Sequence, residues 1–196
     1  NKSGFKAYLV GGCIRDLVLK KNPKDFDVVT DATPEQIKKA IPRSRIIGRR
    51  FKLVHVRKGR KITEVSTFRS KGGKRTSKTN KGIVLRDNFY GTIREDAFRR
   101  DFTINSLYLD ISDMKIIDYT GGFKDLNKRE LSCIGDSKLR FREDPIRIIR
   151  AVRFLCYLDL KLKKSLKKDL INFAHLLQEI PPARRYEEIL KLFLTG

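Results

Sequence analysis

Apolar positions in the first seventy residues fall in short runs of β-forming side chains and not in long helical stripes. Residues 7–10 (AYLV) are apolar without a break and end at Gly11-Gly12, which predicts a short buried strand. Residues 13–20 then read as a helix. Residues 25–30 (DFDVVT) alternate and are β-branched, predicting a second strand, with Phe26 turned away from its two acidic neighbours as a core anchor. Asp31 to Pro34 supply a turn and N-cap, and a helix follows to about Ala40. Further strands are predicted at 44–47, 52–57 and 61–68, the last two joined by Lys58-Gly59-Arg60 as a hairpin turn.

The pattern breaks over 69–88, where Gly, Ser and Lys replace apolar residues and predict a strongly basic loop. Regular structure resumes near Glu95, with short strands at 107–111 and 115–118 before Gly121-Gly122. From Asp136 the period changes: 145–158, 163–177 and 183–194 read as amphipathic helices. The expected architecture is α+β, a mixed sheet of about five strands over residues 1–135 followed by an all-helical domain over 136–196. No internal repeat is present. Asn1 in place of Met, and a helical pattern running almost to Gly196, read as part of a longer chain.

Charge changes this picture more than any other compositional property. Forty-five basic residues against 23 acidic give a formal net charge of +22 in 196 residues. Such an excess favours a polyanionic partner, because Lys and Arg that neutralise phosphates release condensed counterions. Lys-rich runs such as 161–168 fit equally well as solvated helix faces. No stretch approaches the ~18 uncharged apolar residues of a membrane span, and no secretory leader is evident, so a soluble cytoplasmic protein is expected. Cys13, Cys133 and Cys156 are widely spaced, form no CxxC pair and are accompanied by only two His. They read as small buried hydrophobes in a reducing compartment, not as a zinc site or disulfide framework.

Three features carry candidate chemistry. On a strand, residues two apart share a face, so Asp25 and Asp27 would project together, about 6.6–7 Å apart at their Cα atoms given a ~3.3 Å rise. Such a pair can hold two Mg²⁺ ions. Gly11-Gly12 at a strand-to-helix turn lets backbone amides approach a phosphate, with Arg15 and Asp16 in the first helical turn and Arg15 able to contact the same phosphates. Glu64 lies inside an otherwise β-branched strand, where an acid needs a partner. Each feature alone also fits a plain structural reading: a solvated strand edge, an ordinary turn, a solvent-facing strand position. Their proximity in sequence favours a common site.

Together these residues resemble a known family. GGCIRD (11–16) followed by DFDVVT (25–30) is similar to the signature of polymerase-β-like nucleotidyltransferases, more narrowly the group joining bacterial poly(A) polymerases and CCA-adding tRNA nucleotidyltransferases. RRDFTINSL (99–107) resembles the family's RRDFTxNAL motif, with Ser106 in place of the usual Ala. Asp118 and GGFKDL (121–126) resemble its hinge segment, EDPIR (143–147) its EDxxR motif, and Arg184, Glu188 and Lys191 its RxxxExxK element. The resemblance spans nearly the whole chain. It implies a head domain followed by a helical neck, with body and tail domains beyond these 196 residues. It further implies two Mg²⁺ ions (Mn²⁺ as a substitute) on Asp25 and Asp27 with Glu64 assisting, and ATP and an RNA 3′ end as substrates. Arg100 and Asn105 would lie near the triphosphate and Asp101 by the ribose. Asp144 and Arg147 would face the base, beside a basic strip formed by Arg147, Arg150 and Arg153.

These motifs have structural readings too. Asp144 and Pro145 suit the N-cap and first position of a helix, Glu143 and Arg147 an i,i+4 bridge, Asp101 an N-cap, and Arg184, Glu188 and Lys191 ordinary helix-surface pairs. Segments 23–27, 46–56, 64–69 and 87–92 are similar to bacterial poly(A) polymerases more than to CCA-adding enzymes. The expected activity is template-independent addition of AMP to RNA 3′ ends, by a monomer in the default case. A CCA-adding enzyme is the alternative within the family, and a non-catalytic RNA-binding module the alternative outside it. A bacterial-type cytoplasmic setting is the default, an organelle of bacterial descent the other.

Overall fold

The computed structural model describes residues 3–48, 52–70 and 89–194. Residues 49–51 of the quoted resemblance, and most of the expected basic loop (71–88), lie outside them. The chain divides into two compact units: one of residues 1–100 and 105–120, the other of 101–104 and 121–196. The expected passage to helical architecture at 135–136 falls inside the second unit.

The first unit is built on strands β1 (Ala7–Val10), β2 (Asp27–Thr30), β3 (Arg45–Ile47), β4 (Leu53–Lys58), β5 (Lys61–Thr67), β6 (Leu107–Asp110) and β7 (Lys115–Asp118). They form one seven-stranded sheet in the order β3-β4-β5-β2-β1-β6-β7. About five strands were expected; β6 and β7, which follow a helix in sequence, add to the far side of β1 and extend the same sheet. β2 and β5 run parallel, with Asp27 level with Glu64, while the other neighbouring pairs are antiparallel. The first strand of the acidic motif is shorter than expected. β2 begins at Asp27, so Asp25 and Phe26 precede it.

Alternation along the strands separates two faces. Val28, Val54 and Val65 pack with Ala32 and Ile37 beneath α2 (Pro34–Ala40). This helix opens with a capping box, Thr33 accepting from the Gln36 amide and Gln36 from the Thr33 amide. On the other face Tyr8, Val10, Val29, Phe68 and Tyr108 pack with Ala97 of α3 (Ile93–Arg99), itself capped by Thr92 and Glu95. Val29 and Val54 are fully buried, each side chain stabilising the fold by about 1.5–3 kcal/mol through removal from water. α1 (Gly12–Val18) stops at Leu19, two residues short of the expected helix, and Lys20 turns into the left-handed region.

The second unit contains α4 (Gly122–Asn127), β8 (Glu130–Leu131), α5 (Ser137–Glu143), α6 (Ile146–Leu158), β9 (Lys161–Leu162), α7 (Lys164–Phe173) and α8 (Pro182–Leu194). Ile148, Ala151, Phe154 and Leu158 recur at helical spacing on α6 and are buried. Phe102 and Phe154 meet edge to face at 5.8 Å. Sequence periodicity found α6, α7 and α8. It missed α4, α5 and the two-residue parallel pair β8–β9. Among the described residues, no helix is long and apolar enough to cross a membrane. Of the three Cys, Cys13 is buried, but Cys156 is exposed, against the expectation of burial.

Candidate active site

In the first unit, the in-register pairing of β2 with β5 sets Asp27 beside Glu64 on the face that α3 partly covers. Neighbouring strands lie about 4.8 Å apart, so the two carboxylates are neighbours by construction. Asp25 precedes them at the same end of the sheet. Phe26, between the acids, is 42% exposed and anchors no core. That expectation assumed strand alternation from residue 25, and the strand starts two residues later, at Asp27. Asp27 is exposed, yet partial desolvation by the surrounding sheet first, and then the Glu64 charge, hold its carboxyl above its ordinary value; Arg100 opposes this, and Asp25 adds to it. Glu64 also has a neighbour that the sequence did not single out: His55, its cross-strand partner, brings Nε2 to 3.3 Å from Oε1.

The glycine turn closes the site's other side. Gly11 adopts φ +79° and ψ −130°, a conformation essentially reserved for glycine. Its amide donates to the Leu107 carbonyl at 3.1 Å, so it serves the sheet and cannot also serve a phosphate, as had been expected. The amides that α1 leaves without intrahelical partners are those of Gly12, Cys13 and Ile14.

Arg15 was expected to reach phosphate. Its side chain is buried, with Nε donating to Asp16 at 2.9 Å and Nη1 to Asn105 Oδ1 at 2.8 Å. Arg15, Asp16 and Asn105 thus form one buried polar cluster behind the glycine turn.

Arg100 does face this turn. Its Nη1 lies 3.7 Å from where a Cβ on Gly11 would sit. It is oriented by Asp96, a residue that sequence reading missed. Asp96 is fully buried, receives Arg100 at 2.9 and 3.1 Å, Arg99 at 2.9 Å, the Tyr108 hydroxyl at 2.8 Å and the Arg69 amide at 3.2 Å. Burial alone would raise the Asp96 pKa, but the Arg100 and Arg99 guanidinium groups and the Tyr108 hydroxyl bring it below the usual carboxylate range. Spacing held one hint, an acid four residues before an Arg on a helix. Ser106, the departure from the family motif, is fully buried and its Oγ donates to the Ala97 carbonyl at 3.1 Å, so the extra hydroxyl is satisfied by α3.

The remaining candidates belong to the second unit. Asp101 accepts from Arg150 Nε at 2.7 Å, and Glu188, buried on α8, meets Arg150 at 3.4 Å and Arg153 at 3.6 Å. Arg147 pairs with Glu143 at 3.2 Å. Each Arg of the expected basic strip therefore has an acidic partner, although Glu188 is shared by Arg150 and Arg153 and Glu143 by Arg140 and Arg147. Both Arg150 and Arg153 lie over the Phe154 ring. Arg184 pairs with Asp144 at 2.8 Å and not with Glu188, whereas Glu188 and Lys191 pair at 3.2 Å as expected, but with Glu188 buried and not on the helix surface. Asp144 does not cap α6: Pro145 occupies that position, and Asp144 closes α5. Its Oδ1 is buried with no hydrogen-bond partner among the described residues.

A divalent cation fits the acids of the first unit. Asp27 carries a charge that its surroundings penalise, and a nearby cation relieves that penalty. Among the described residues, no group of three or more His, Cys, Asp or Glu side chains is placed to hold a metal ion together. Mg²⁺ commonly binds one or two carboxylates and completes its shell with water and substrate phosphates.

Comparison with known proteins bears on this arrangement. A family model described as the poly A polymerase head domain matches residues 7–132, and one described as a probable RNA and SrmB-binding site of polymerase A matches 159–196. Poly(A) polymerase I of Salmonella typhi is 49% identical over 202 residues, covering 100% of this chain and 43% of that protein. The CCA-adding enzyme of Lactobacillus delbrueckii subsp. bulgaricus is 37% identical over 193 residues, covering 98% of this chain and 48% of that protein. The crystal structure of the Bacillus stearothermophilus CCA-adding enzyme in complex with CTP superposes with a TM-score of 0.84 at 34% identity, covering 97% of this chain and 45% of that one. The chain spans less than half the length of these relatives.

Proposed function

This chain belongs to the family of poly(A) polymerase head domains, and from that membership we propose that it carries the nucleotidyl-transfer centre of an enzyme adding AMP from ATP to RNA 3′ ends without a template. The observation that carries the reading is the Asp27–Glu64 pair, level across parallel strands and flanked by the Gly11 turn and Arg100. Identity supports AMP addition over CCA addition, at 49% to a poly(A) polymerase against 37% to a CCA-adding enzyme. CCA addition is the second reading, favoured by the CTP-bound relative of like fold.

Asp25 and Asp27, with Glu64 alongside, would hold two Mg²⁺ ions, which when bound activate the RNA 3′-hydroxyl and neutralise the triphosphate. Polymerase-type nucleotidyltransferases generally use such divalent ions. The 3′-oxygen attacks the α-phosphate in line, and the bond to pyrophosphate breaks. Arg100, held from behind by Asp96 and Tyr108, presents a preorganised cation to the leaving phosphates. Arg15 acts one layer deeper, fixing Asn105 behind the Gly11 turn. Asp144 and Arg147, which the family resemblance assigns to base recognition, belong to the second unit, where Arg184 and Glu143 orient them. Asp101, Arg150, Arg153 and Glu188 lock the helices that carry them. We assign residues 1–135 to the head and 136–196 to the neck, and read the protein as a cytoplasmic monomer.

Primer extension on a labelled RNA with Mg²⁺ and each nucleoside triphosphate singly tests the function. A long ladder with ATP alone, reduced by at least about 10³-fold in Asp25→Ala/Asp27→Ala, is the expected outcome. Termination after CTP and ATP addition on a tRNA-like end would select the second reading.

A further inference from the structure

We propose that the tip of the β4–β5 hairpin docks the phosphate backbone of the RNA strand being extended, a proposal that rests on the nucleotidyl-transfer reading above. Arg57, Lys58, Arg60 and Lys61 occupy four of five consecutive positions around Gly59, and all are exposed. Among the described residues, none of the four has a carboxylate within ion-pairing distance. Lys58 lies directly opposite Lys61 across the hairpin, where like charges repel each other and oppose the fold. Arg57 Nε is turned onto the Gly59 carbonyl at 3.1 Å, which tightens the tip and keeps its charge there. A hairpin optimised for stability alone would place acids among these cations. Uncompensated positive charge at a tight turn suits a polyanion.

Position identifies the polyanion. β2 and β5 run parallel with Asp27 level with Glu64, so the end of the sheet bearing the carboxylates is also the end toward which β5 extends back to Lys61. Three more residues at a rise of ~3.3 Å carry the tip about 10 Å beyond the acids. Arg57 shares the sheet face of His55, and His55 that of Glu64, because alternate residues of β4 share a face and His55 is level with Glu64. Arg57 thus lies outward of the carboxylates on their own face, and Lys58 and Lys61, one position nearer the turn, carry the positive charge of the tip on the other face. A free nucleotide has no phosphates so far from its reacting centre, whereas a nucleic acid strand with its 3′ end at the carboxylates has one at every step. Acids that must admit a polyanion also repel it, and adjacent cations offset that repulsion.

The test uses the 196-residue chain with Arg57→Gln/Lys58→Gln/Arg60→Gln/Lys61→Gln, which removes charge and keeps long polar side chains. A control carries Lys→Gln at the exposed positions Lys20, Lys21, Lys115 and Lys128. Fluorescence anisotropy of a labelled 20-residue oligoadenylate is followed from 50 to 300 mM KCl. The expected result is an affinity loss of about tenfold or more in the hairpin variant, with the log–log salt slope reduced by roughly 0.7 for each phosphate no longer neutralised. Thermal unfolding should be unchanged or shifted upward. Equal loss in the control would make the effect one of net charge and overturn the proposal. So would unchanged RNA binding with lost binding to phosphatidylglycerol vesicles. If the wild-type chain binds RNA without extending it, either the binding-module reading holds or extension needs residues beyond these 196, and the anisotropy still decides for or against the hairpin.

Discussion

Asp96 does at the residue scale what no surface acid could. It holds Arg100 against the glycine turn from a position sealed from water, with Tyr108 closing the bond network. Asp96→Asn keeps the shape and removes the charge. Breaking a buried ion network costs about 3–5 kcal/mol, and Arg99 and Arg100 remain partly solvated, so a value near 3 is expected, read by thermal unfolding at pH 7. Nucleotide addition should fall as well, because Arg100 loses its fixed direction. The folded pKa of Asp96 is depressed, so its contribution is present above the unfolded value of about 3.9 and is lost as pH falls through the folded one. The gap between wild type and variant should accordingly close below about pH 4. The sequence could not reveal this residue, since an acid on a seven-residue helix reads as a solvated one until Tyr108 and Arg69 arrive from elsewhere. The same blindness reversed the readings of Arg15, Arg150 and Arg153. Each is a cation whose counter-ion or acceptor lies in another element, except for Asp16 beside Arg15. Asp25, Asp27 and Glu64 stood out because acids are depleted in strands, and what marked them as candidates was their proximity in sequence to one another and to the glycine turn, none of them being decisive alone.

Elements with strong periodicity were legible as well, because their pattern is the burial pattern: β1, β4, β5, α6 and α8 all match. Those missed are short or depend on a partner. α5 is mostly polar, and β8 and β9 are two residues each and exist only by pairing. α4 shows how tightly such a piece can be fixed. A Cβ on Gly122 would fall 2.1 Å from the Thr103 carbonyl oxygen, backbone that no side-chain rotation can relieve. Thr103 is held in turn by its hydroxyl bond to Asp125 at 2.7 Å and by its amide bond to the Ser132 carbonyl at 3.0 Å. Gly122→Ala should destabilise the chain by at least about 1–3 kcal/mol, seen as a lower midpoint in urea with an unchanged m-value.

Over the whole molecule, a formal charge of +22 makes self-repulsion a term of its own. Raising KCl from 10 to 200 mM shortens the screening length from about 30 Å to about 7–8 Å. The melting temperature should therefore rise, by roughly 2–4 °C for each kcal/mol of repulsion relieved in a chain of this size. A fall would mean that the surface ion pairs outweigh the excess charge. The parallel pairing of β2 with β5 carries one more consequence, for the order of folding. Glu64 reaches Asp27 only after α2, β3 and β4 have been laid down and the chain between has closed on itself, a non-local step whose entropy is lost before any native pairing offsets it. A nascent chain can form the β1–β2 ribbon while Asp27 still lacks its neighbour Glu64. The carboxylates become neighbours only in the finished sheet.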